Sequence, residues 1–207
     1  AGVTVNVQGL AQGSTSIGFT ADAVKGDNDA LTLGLNKVGT AEDGNTAAKY
    51  VSVTANGIEN LAVNVTDDSY VDLRQAGSKT VTVSGAGDLD VNHVAGTLTS
   101  FDASASNGDV TADLSGATLS TVKGGSGDDA ITVTNLAANA VIEGGAGNDS
   151  LILKDFSGTL QPTMSGFENV TAVGGTLTIS GKNVSDFNSL TVEKSAAVKL
   201  SNVDAPA

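Results

Sequence analysis

The chain has 207 residues and a formal net charge of −13, from 23 acidic and 10 basic residues. Phosphate binding needs clustered Lys and Arg, so we expect cations rather than nucleic acid as partners. Cys is absent and no apolar run approaches the roughly 20 residues of a membrane span, so we expect no disulfide, no thiolate metal site and no membrane span.

The composition favours an all-β fold. It has 26 Gly, 2 Pro, no Trp and 3% aromatic residues, which suits short strands of Val, Thr and Ile joined by tight turns. We expect a single elongated domain over 1–207, with irregular coils at 1–49, regular coils at 50–160 and C-terminal coils at 161–207. Because the chain starts Ala1-Gly2-Val3 without a signal-like segment, we expect it to be a piece of a larger protein.

The first 50 residues show the weakest pattern. Residues 3–7 (VTVNV) alternate like a strand, and residues 24–32 (VKGDNDALT) look like a shortened glycine-acid loop. We place an early coil there. Residues 40–48 are polar, contain Gly and break the pattern, so they are predicted to form an excursion from the stack.

A period of about 20 residues begins near Tyr50. One apolar column, with steps of 20 or 21 residues, contains Leu61, Val81, Phe101, Val122 and Ile142. A second column, with steps of 19 to 21 residues, contains Val71, Val91, Val110, Ile131 and Leu151. Two columns indicate two strands per coil, and such coils bury their apolar faces only by stacking. The predicted fold is a right-handed parallel β-solenoid or β-roll.

The period changes after Asp149. The step from Ile142 to Val170 is 28 residues and encloses Pro162 and Met164, whereas the step from Val170 to Leu190 is again 20. We therefore predict one lengthened coil, followed by regular coils without a glycine-acid loop. The segment 57–63 (GIENLAV) recurs at 166–173 (GFENVTAV), which indicates a true repeat.

Two glycine-acid loops lie inside the period, at residues 124–129 (GGSGDD) and 144–149 (GGAGND). Each runs into a short apolar strand and gives the pattern G-G-x-G-x-D-x-U-x, where U is a large apolar residue. The glycines permit tight turns and close approach of carbonyl groups, and the aspartate supplies a hard anionic oxygen. Residues 84–90 and 104–109 keep part of the pattern.

These loops resemble the calcium-binding nonapeptide of RTX proteins. The resemblance implies that Ca²⁺ lies between loops of neighbouring coils, bound by aspartates and backbone carbonyls, in calcium-binding turns. The candidate ligand residues of the main site are Gly125, Gly127, Asp129, Gly145, Gly147 and Asp149. Asp109, with Asn107 in the same loop, is the candidate for closing a second site against residues 124–129.

The alternative is that these loops are only turns, since Gly, Asn and Asp favour turns for backbone reasons. We prefer that interpretation for Asp67, Asp68, Asp88 and Asp90, and we leave it open for Asp128 and Asn148. Phosphate cradling is not supported, because the loops and Gly181-Lys182 lack the required glycine spacing.

No catalytic pattern appears in the sequence. His93 is the only His, and neither a zinc-binding helix nor a nucleophile elbow is present, so we expect a surface or turn histidine and no enzyme activity. Three N-x-S/T sequences begin at Asn64, Asn169 and Asn183. A chain rich in Asn, Val and Thr produces such matches by chance.

The loops together with the Gly-Ile-Glu-Asn-Leu type of coil resemble Gram-negative surface-layer proteins. That resemblance implies a secreted structural protein, exported by a type I system, that self-associates into a calcium-ordered lattice on the cell surface. Cell-surface polysaccharide would be bound by other parts of the full-length protein. The alternatives are a β-roll module of a type I-secreted adhesin or of an extracellular enzyme.

Overall fold

The computed structural model describes residues 3–20, 22–44, 46–73, 78–160, 162–180, 185–186, 188–193 and 197–201. These ranges contain strands, turns and bends and no helix. Accordingly, no helix long and apolar enough to cross a membrane is found in them.

Three parallel sheets make up the described part of the chain. The first sheet contains, in spatial order, β1 (Val3–Gln8), β3 (Ala30–Asn36), β5 (Asn60–Val65), β7 (Thr80–Gly85), β9 (Ser100–Ser106), β11 (Thr118–Lys123), β13 (Asn135–Glu143) and β16 (Thr163–Ser165). The second sheet contains, in spatial order, β2 (Gly13–Ser16), β4 (Val51–Thr54), β6 (Ser69–Leu73), β8 (Leu89–Val94), β10 (Val110–Asp113), β12 (Ala130–Val133), β14 (Ser150–Lys154), β17 (Asn169–Val173) and β19 (Ser189–Glu193). The third sheet contains β15 (Ser157–Leu160), β18 (Thr176–Ser180) and β20 (Ala197–Ser201).

Successive strands alternate between the first and second sheets, so the chain winds as a parallel β-solenoid of about seven turns with coils of about 20 residues. This confirms the predicted all-β fold. In the central strands, every second residue points inward: in β5, Leu61, Val63 and Val65 are each at most 1% exposed. The core therefore lies between the first and second sheets, where small aliphatic side chains from neighbouring coils stack.

The first apolar column is confirmed, because strand pairing places Leu61, Val81, Phe101, Val122 and Ile142 in register. The same column extends toward the N-terminus through Leu31, which pairs with Leu61. The early coil predicted around residues 24–32 therefore exists, with β3 as its strand in the first sheet.

The second column is wrong at one position. Val91 and Ile131 both pair with Ala112, whereas Val110 pairs with Leu89. Val110 and Ala112 are two residues apart on one strand, so both point inward, and both are at most 1% exposed. Hydrophobicity alone cannot choose between two buried positions of the same strand.

The lengthened coil after Asp149 is also wrong. Ile142 pairs with Met164, which continues the first column at 3% exposure. Val170 pairs with Leu151 and then with Leu190, so it belongs to the second column. The spacing of apolar residues linked Ile142 to Val170 because the strand that contains Met164 has only three residues, too few to show a repeating pattern.

Residues 40–48 leave the parallel stack, as predicted. They form two isolated antiparallel bridges, Thr40 with Lys49 and Asp43 with Thr46. The excursion explains why Leu31 and its partner Leu61 are separated by 30 residues rather than about 20.

The turns of the solenoid form two edges. Turns that lead from the first sheet to the second lie along what we call the loop edge, and turns that lead back lie along the opposite edge. Residues 124–129, 144–149 and 166–168 are on the loop edge, between β11 and β12, β13 and β14, and β16 and β17. The shortened loop at 26–29 precedes β3 and is therefore on the opposite edge.

Candidate cation site

Asp129 and Asp149 are buried on the loop edge, at 1% and 0% exposure. Each carboxylate accepts a hydrogen bond from a backbone N–H of the preceding coil: Asp129 Oδ1 from Val110 at 2.8 Å, and Asp149 Oδ1 from Asp129 at 2.8 Å. Glu168 continues the series, since its Oε2 accepts the Asp149 N–H at 2.7 Å. We call Asp129, Asp149 and Glu168 the inner column.

A second series of acidic residues runs beside the inner column in the opposite sense. Each carboxylate here accepts an N–H from the following coil: Asp68 from Asp88 at 3.1 Å, Asp88 from Asp109 at 2.9 Å, Asp109 from Asp128 at 2.7 Å, and Asp128 from Asn148 at 2.8 Å. We call these residues the outer row. All four carboxylates cap turn amides from the exposed surface, which fits the turn interpretation for Asp68 and Asp88; Asp128 makes the same type of contact.

Asp109 occupies the outer row rather than the inner column. Asp109 precedes Asp129 by 20 residues in the sequence. Its exposed carboxylate nevertheless accepts the backbone N–H of Asp128. Val110 takes the inner position in that coil. Asn107 is also exposed, with Oδ1 3.3 Å from the Ser126 hydroxyl. Val110 rather than Asp109 therefore aligns with Asp129, because the step between these coils is 19 residues rather than 20. The role of Asp109 in closing a second site stays a prediction.

The two glycine-acid loops share a sequence pattern but differ in backbone conformation. Gly125 N–H donates to Asp129 Oδ2 at 2.5 Å, so both oxygens of Asp129 accept hydrogen bonds. Gly145 and Gly147 have φ of 116° and 126°, a region open only to Gly without strain. In this second loop, Asp149 Oδ2 is buried and has no hydrogen-bond partner.

Backbone carbonyls lie next to the buried carboxylate oxygens. A Cβ atom on Gly144 would clash with the Gly166 carbonyl oxygen and lie 2.7 Å from Asp149 Oδ2. A Cβ on Gly124 would clash in the same way with the Gly144 carbonyl oxygen and with Asp129 Oδ2. The first glycine of each loop therefore leaves room for a carbonyl and a carboxylate to approach each other closely.

Burial disfavours the charged form of both aspartates. Burial raises the pKa of Asp129 above its usual range. The backbone hydrogen bonds from Gly125 and Val110 lower this pKa, but their effect is smaller. Burial also raises the pKa of Asp149, to about 6, and the neighbouring charges of Asp129 and Glu168 add to that increase. No ion pair to either aspartate occurs in the described part of the chain. In their charged form, Asp129 and Asp149 are thus buried carboxylates compensated only by backbone N–H groups within the described part of the chain.

The donor set of the inner column suits a hard cation. Ca²⁺ prefers carboxylate and carbonyl oxygens, and Asp149 Oδ2 with the Gly166 carbonyl provides one of each. No group of three or more Asp, Glu, His or Cys side chains among the described residues has the geometry to hold a metal ion on its own. A bound ion would therefore depend on backbone carbonyls for much of its coordination.

Other sequence motifs lie away from this column. His93 is about half exposed in β8, with Nδ1 3.6 Å from Asp72 Oδ2. Asp90 accepts a hydrogen bond from the Tyr50 hydroxyl at 3.0 Å. The Asn64 and Asn169 amides bond to Ser84 and Asn148. Gly181, Lys182 and Asn183 lie outside the described residues.

Sequence reasoning missed Glu168 as a member of the inner column. The signal was present, because Glu168 follows Asp149 by 19 residues and belongs to the repeated Gly-x-Glu-Asn segment. It was not used because the glycine-acid pattern ends at Asp149, and only stacking shows that a Glu side chain reaches the position of the next aspartate.

Comparison with known proteins found no matching family model, no matching curated protein and no matching solved structure.

Proposed function

We propose that this chain is a calcium-stabilised structural segment of a secreted bacterial surface protein of the surface-layer type. The observation that carries the calcium proposal is Asp149: its carboxylate is buried, it forms no ion pair within the described part of the chain, and its Oδ2 has no hydrogen-bond donor. An isolated buried carboxylate is costly unless a proton or a cation compensates it. Extracellular Ca²⁺ supplies that compensation at neutral pH.

Calcium binding would then be coupled to folding. Without the ion, the buried carboxylates of successive coils repel one another, and the loop edge is the weakest part of the stack. With the ion, the stability gained is about 2.7 kcal/mol when its concentration is 100 times the dissociation constant. A low cytosolic calcium concentration would keep the chain unfolded enough for export.

The test uses Asp149→Asn with Asp88→Asn as its matched control. Asparagine at 149 still accepts the Asp129 N–H and turns an amide donor toward Gly166, so the fold is kept while the charge is lost. Asp88 has the same type of backbone hydrogen bond but is exposed in the outer row. We expect calcium to raise the melting temperature of the wild type and of Asp88→Asn, and to leave that of Asp149→Asn unchanged. The same melting temperature of the wild type in EGTA and in calcium would contradict the proposal.

The surface-layer part of the proposal is supported by the repeat without a catalytic pattern and by the acidic, disulfide-free composition. It is tested on the full-length protein by light scattering and negative-stain imaging as calcium is added. Two-dimensional sheets are expected. Fibres or monomers would instead favour the adhesin or enzyme-module alternatives.

A further inference from the structure

Glu168 lies where a third aspartate of the glycine-acid type would lie. The inner column rises through Asp129, Asp149 and Glu168, and each carboxylate accepts an N–H from the coil before it. Glu168 comes from a Gly-Phe-Glu-Asn turn rather than from a glycine-acid loop. The longer side chain of Glu168 lets its carboxylate accept a backbone N–H from the preceding coil, as the carboxylates of Asp129 and Asp149 do.

The hydrogen bonds at Asp149 differ from those at Asp129. Both carboxylate oxygens of Asp129 accept backbone N–H groups, from Val110 of the coil beneath and from Gly125 of its own loop. Asp149 Oδ2 is buried without a donor, and a Cβ atom on Gly144 would lie against both this oxygen and the Gly166 carbonyl. A carboxylate oxygen in this position needs compensation by a proton or by a cation, and a cation is what the charged form can accept.

We propose that Glu168 is a ligand of the cation site, and that the ion lies between Asp149 of one coil and Gly166 and Glu168 of the next. This deepens the proposed function and rests on it. The site is thus centred one coil above the interval between the two glycine-acid loops, and it uses a residue outside their pattern. Three oxygen sources border this site: Asp149 Oδ2 and the Gly166 carbonyl, which a Cβ atom on Gly144 would both contact, and the partly buried Glu168 carboxylate, whose Oε2 accepts the Asp149 N–H.

The chain carries its own control for this proposal. The related turn Gly57-Ile58-Glu59-Asn60 lies on the opposite edge, where Glu59 Oε2 accepts the Asp29 N–H at 2.9 Å. Asp29 is only partly buried there, and its Oδ2 accepts the Gly26 N–H at 3.1 Å. Glu59 therefore has the same structural role as Glu168 but no unpartnered buried oxygen beside it.

The experiment compares Glu168→Gln with Glu59→Gln by calorimetric titration with calcium chloride. Glutamine keeps an oxygen that can accept the N–H of the preceding coil, so both variants should fold in EGTA, and Glu168→Gln should melt no lower than the wild type because one of the repelling carboxylates is removed. We expect calcium affinity to fall about tenfold or more in Glu168→Gln and to stay at the wild-type value in Glu59→Gln. Glu168→Asp keeps the carboxylate type of the inner column and should bind calcium more tightly than Glu168→Gln.

The results separate the two proposals. Wild-type affinity in Glu168→Gln, or equal losses in Glu168→Gln and Glu59→Gln, would overturn the role of Glu168 while leaving calcium binding intact. If Glu168→Gln fails to fold in EGTA, the Glu168→Asp variant decides, because wild-type calcium affinity with the carboxylate withdrawn by one methylene group would overturn its role as a ligand. Absence of calcium binding by the wild type would instead remove the proposed function itself.

Discussion

Tyr50 and Asp90 form a polar contact outside the core that sequence patterns do not signal. The Tyr50 hydroxyl donates to Asp90 Oδ2 at 3.0 Å, and the ring packs edge-on to Tyr70 with centroids 6.4 Å apart. Burial, followed by the Asp90 charge, raises the pKa of Tyr50 from 10.0 to about 12. The neutral hydroxyl is thus the form that the fold favours.

We expect the contribution of this contact to stability to change only at high pH. Because the folded state holds the Tyr50 proton more tightly than the unfolded state does, its contribution is complete below pH 10 and is lost as the pH rises toward 12. Replacing Asp90 with Asn should lower the pKa of Tyr50, though not to 10.0, because burial remains. Tyrosinate absorbance during a pH titration measures this, in a Tyr70→Phe background that leaves Tyr50 as the only Tyr. An unchanged titration in Asp90→Asn would contradict the assignment.

At the scale of the element, the close spacing of coils makes particular glycines necessary. Gly85 ends β7 with φ of 118°, and a Cβ atom there would clash with the Val65 carbonyl of the preceding coil. That carbonyl also accepts the Ala86 N–H at 3.0 Å. Alanine at 85 would strain its own backbone and push the two coils apart.

Gly13 is the matched control, because its φ is 113° and no atom lies within 4 Å of a Cβ built there. Gly13→Ala should cost only backbone strain, about 1–3 kcal/mol. Gly85→Ala should cost clearly more, because the clash is with backbone. Chemical denaturation of both variants in EGTA checks this. An equal loss of unfolding free energy would show that the contact with the neighbouring coil does not restrict the residue at position 85.

At the scale of the whole molecule, each coil is stabilised mainly by its two neighbours. Phe101 is 0% exposed and lies in the first column between Val81 and Val122. It is a large side chain in a core built otherwise mostly from aliphatic residues. Its loss would weaken both interfaces of a central coil.

We expect Phe101→Ala to lower the unfolding free energy by about 3–5 kcal/mol. Hydrogen-exchange mass spectrometry should show reduced protection in the coils on both sides of Phe101. Val192→Ala serves as the control, because Val192 is 47% exposed in the edge strand β19, and its effect should stay near that strand. Loss of protection confined to β9 in Phe101→Ala would show that the coils do not stabilise one another.

The sequence by itself determined the period, the parallel solenoid and the two glycine-acid loops. These follow from residue types alone: the 20-residue spacing of apolar residues can be buried only by stacking coils, and glycine-acid loops can form only tight turns. The sequence also placed Asp129 and Asp149 in equivalent positions, which the hydrogen bond between their coils confirms.

Only the tertiary structure decided the register between coils. Val110 and Ala112 are both apolar and two residues apart, so either satisfies the pattern, and the difference moves Asp109 from the inner column to the outer row. The structure also decided which oxygen lacks a partner and that Glu168 reaches the position of an aspartate. The sequence shows which residues can bury an apolar face or bind an ion. Which of them contact each other across coils depends on side-chain length and backbone direction, and these are known only once the coils are stacked.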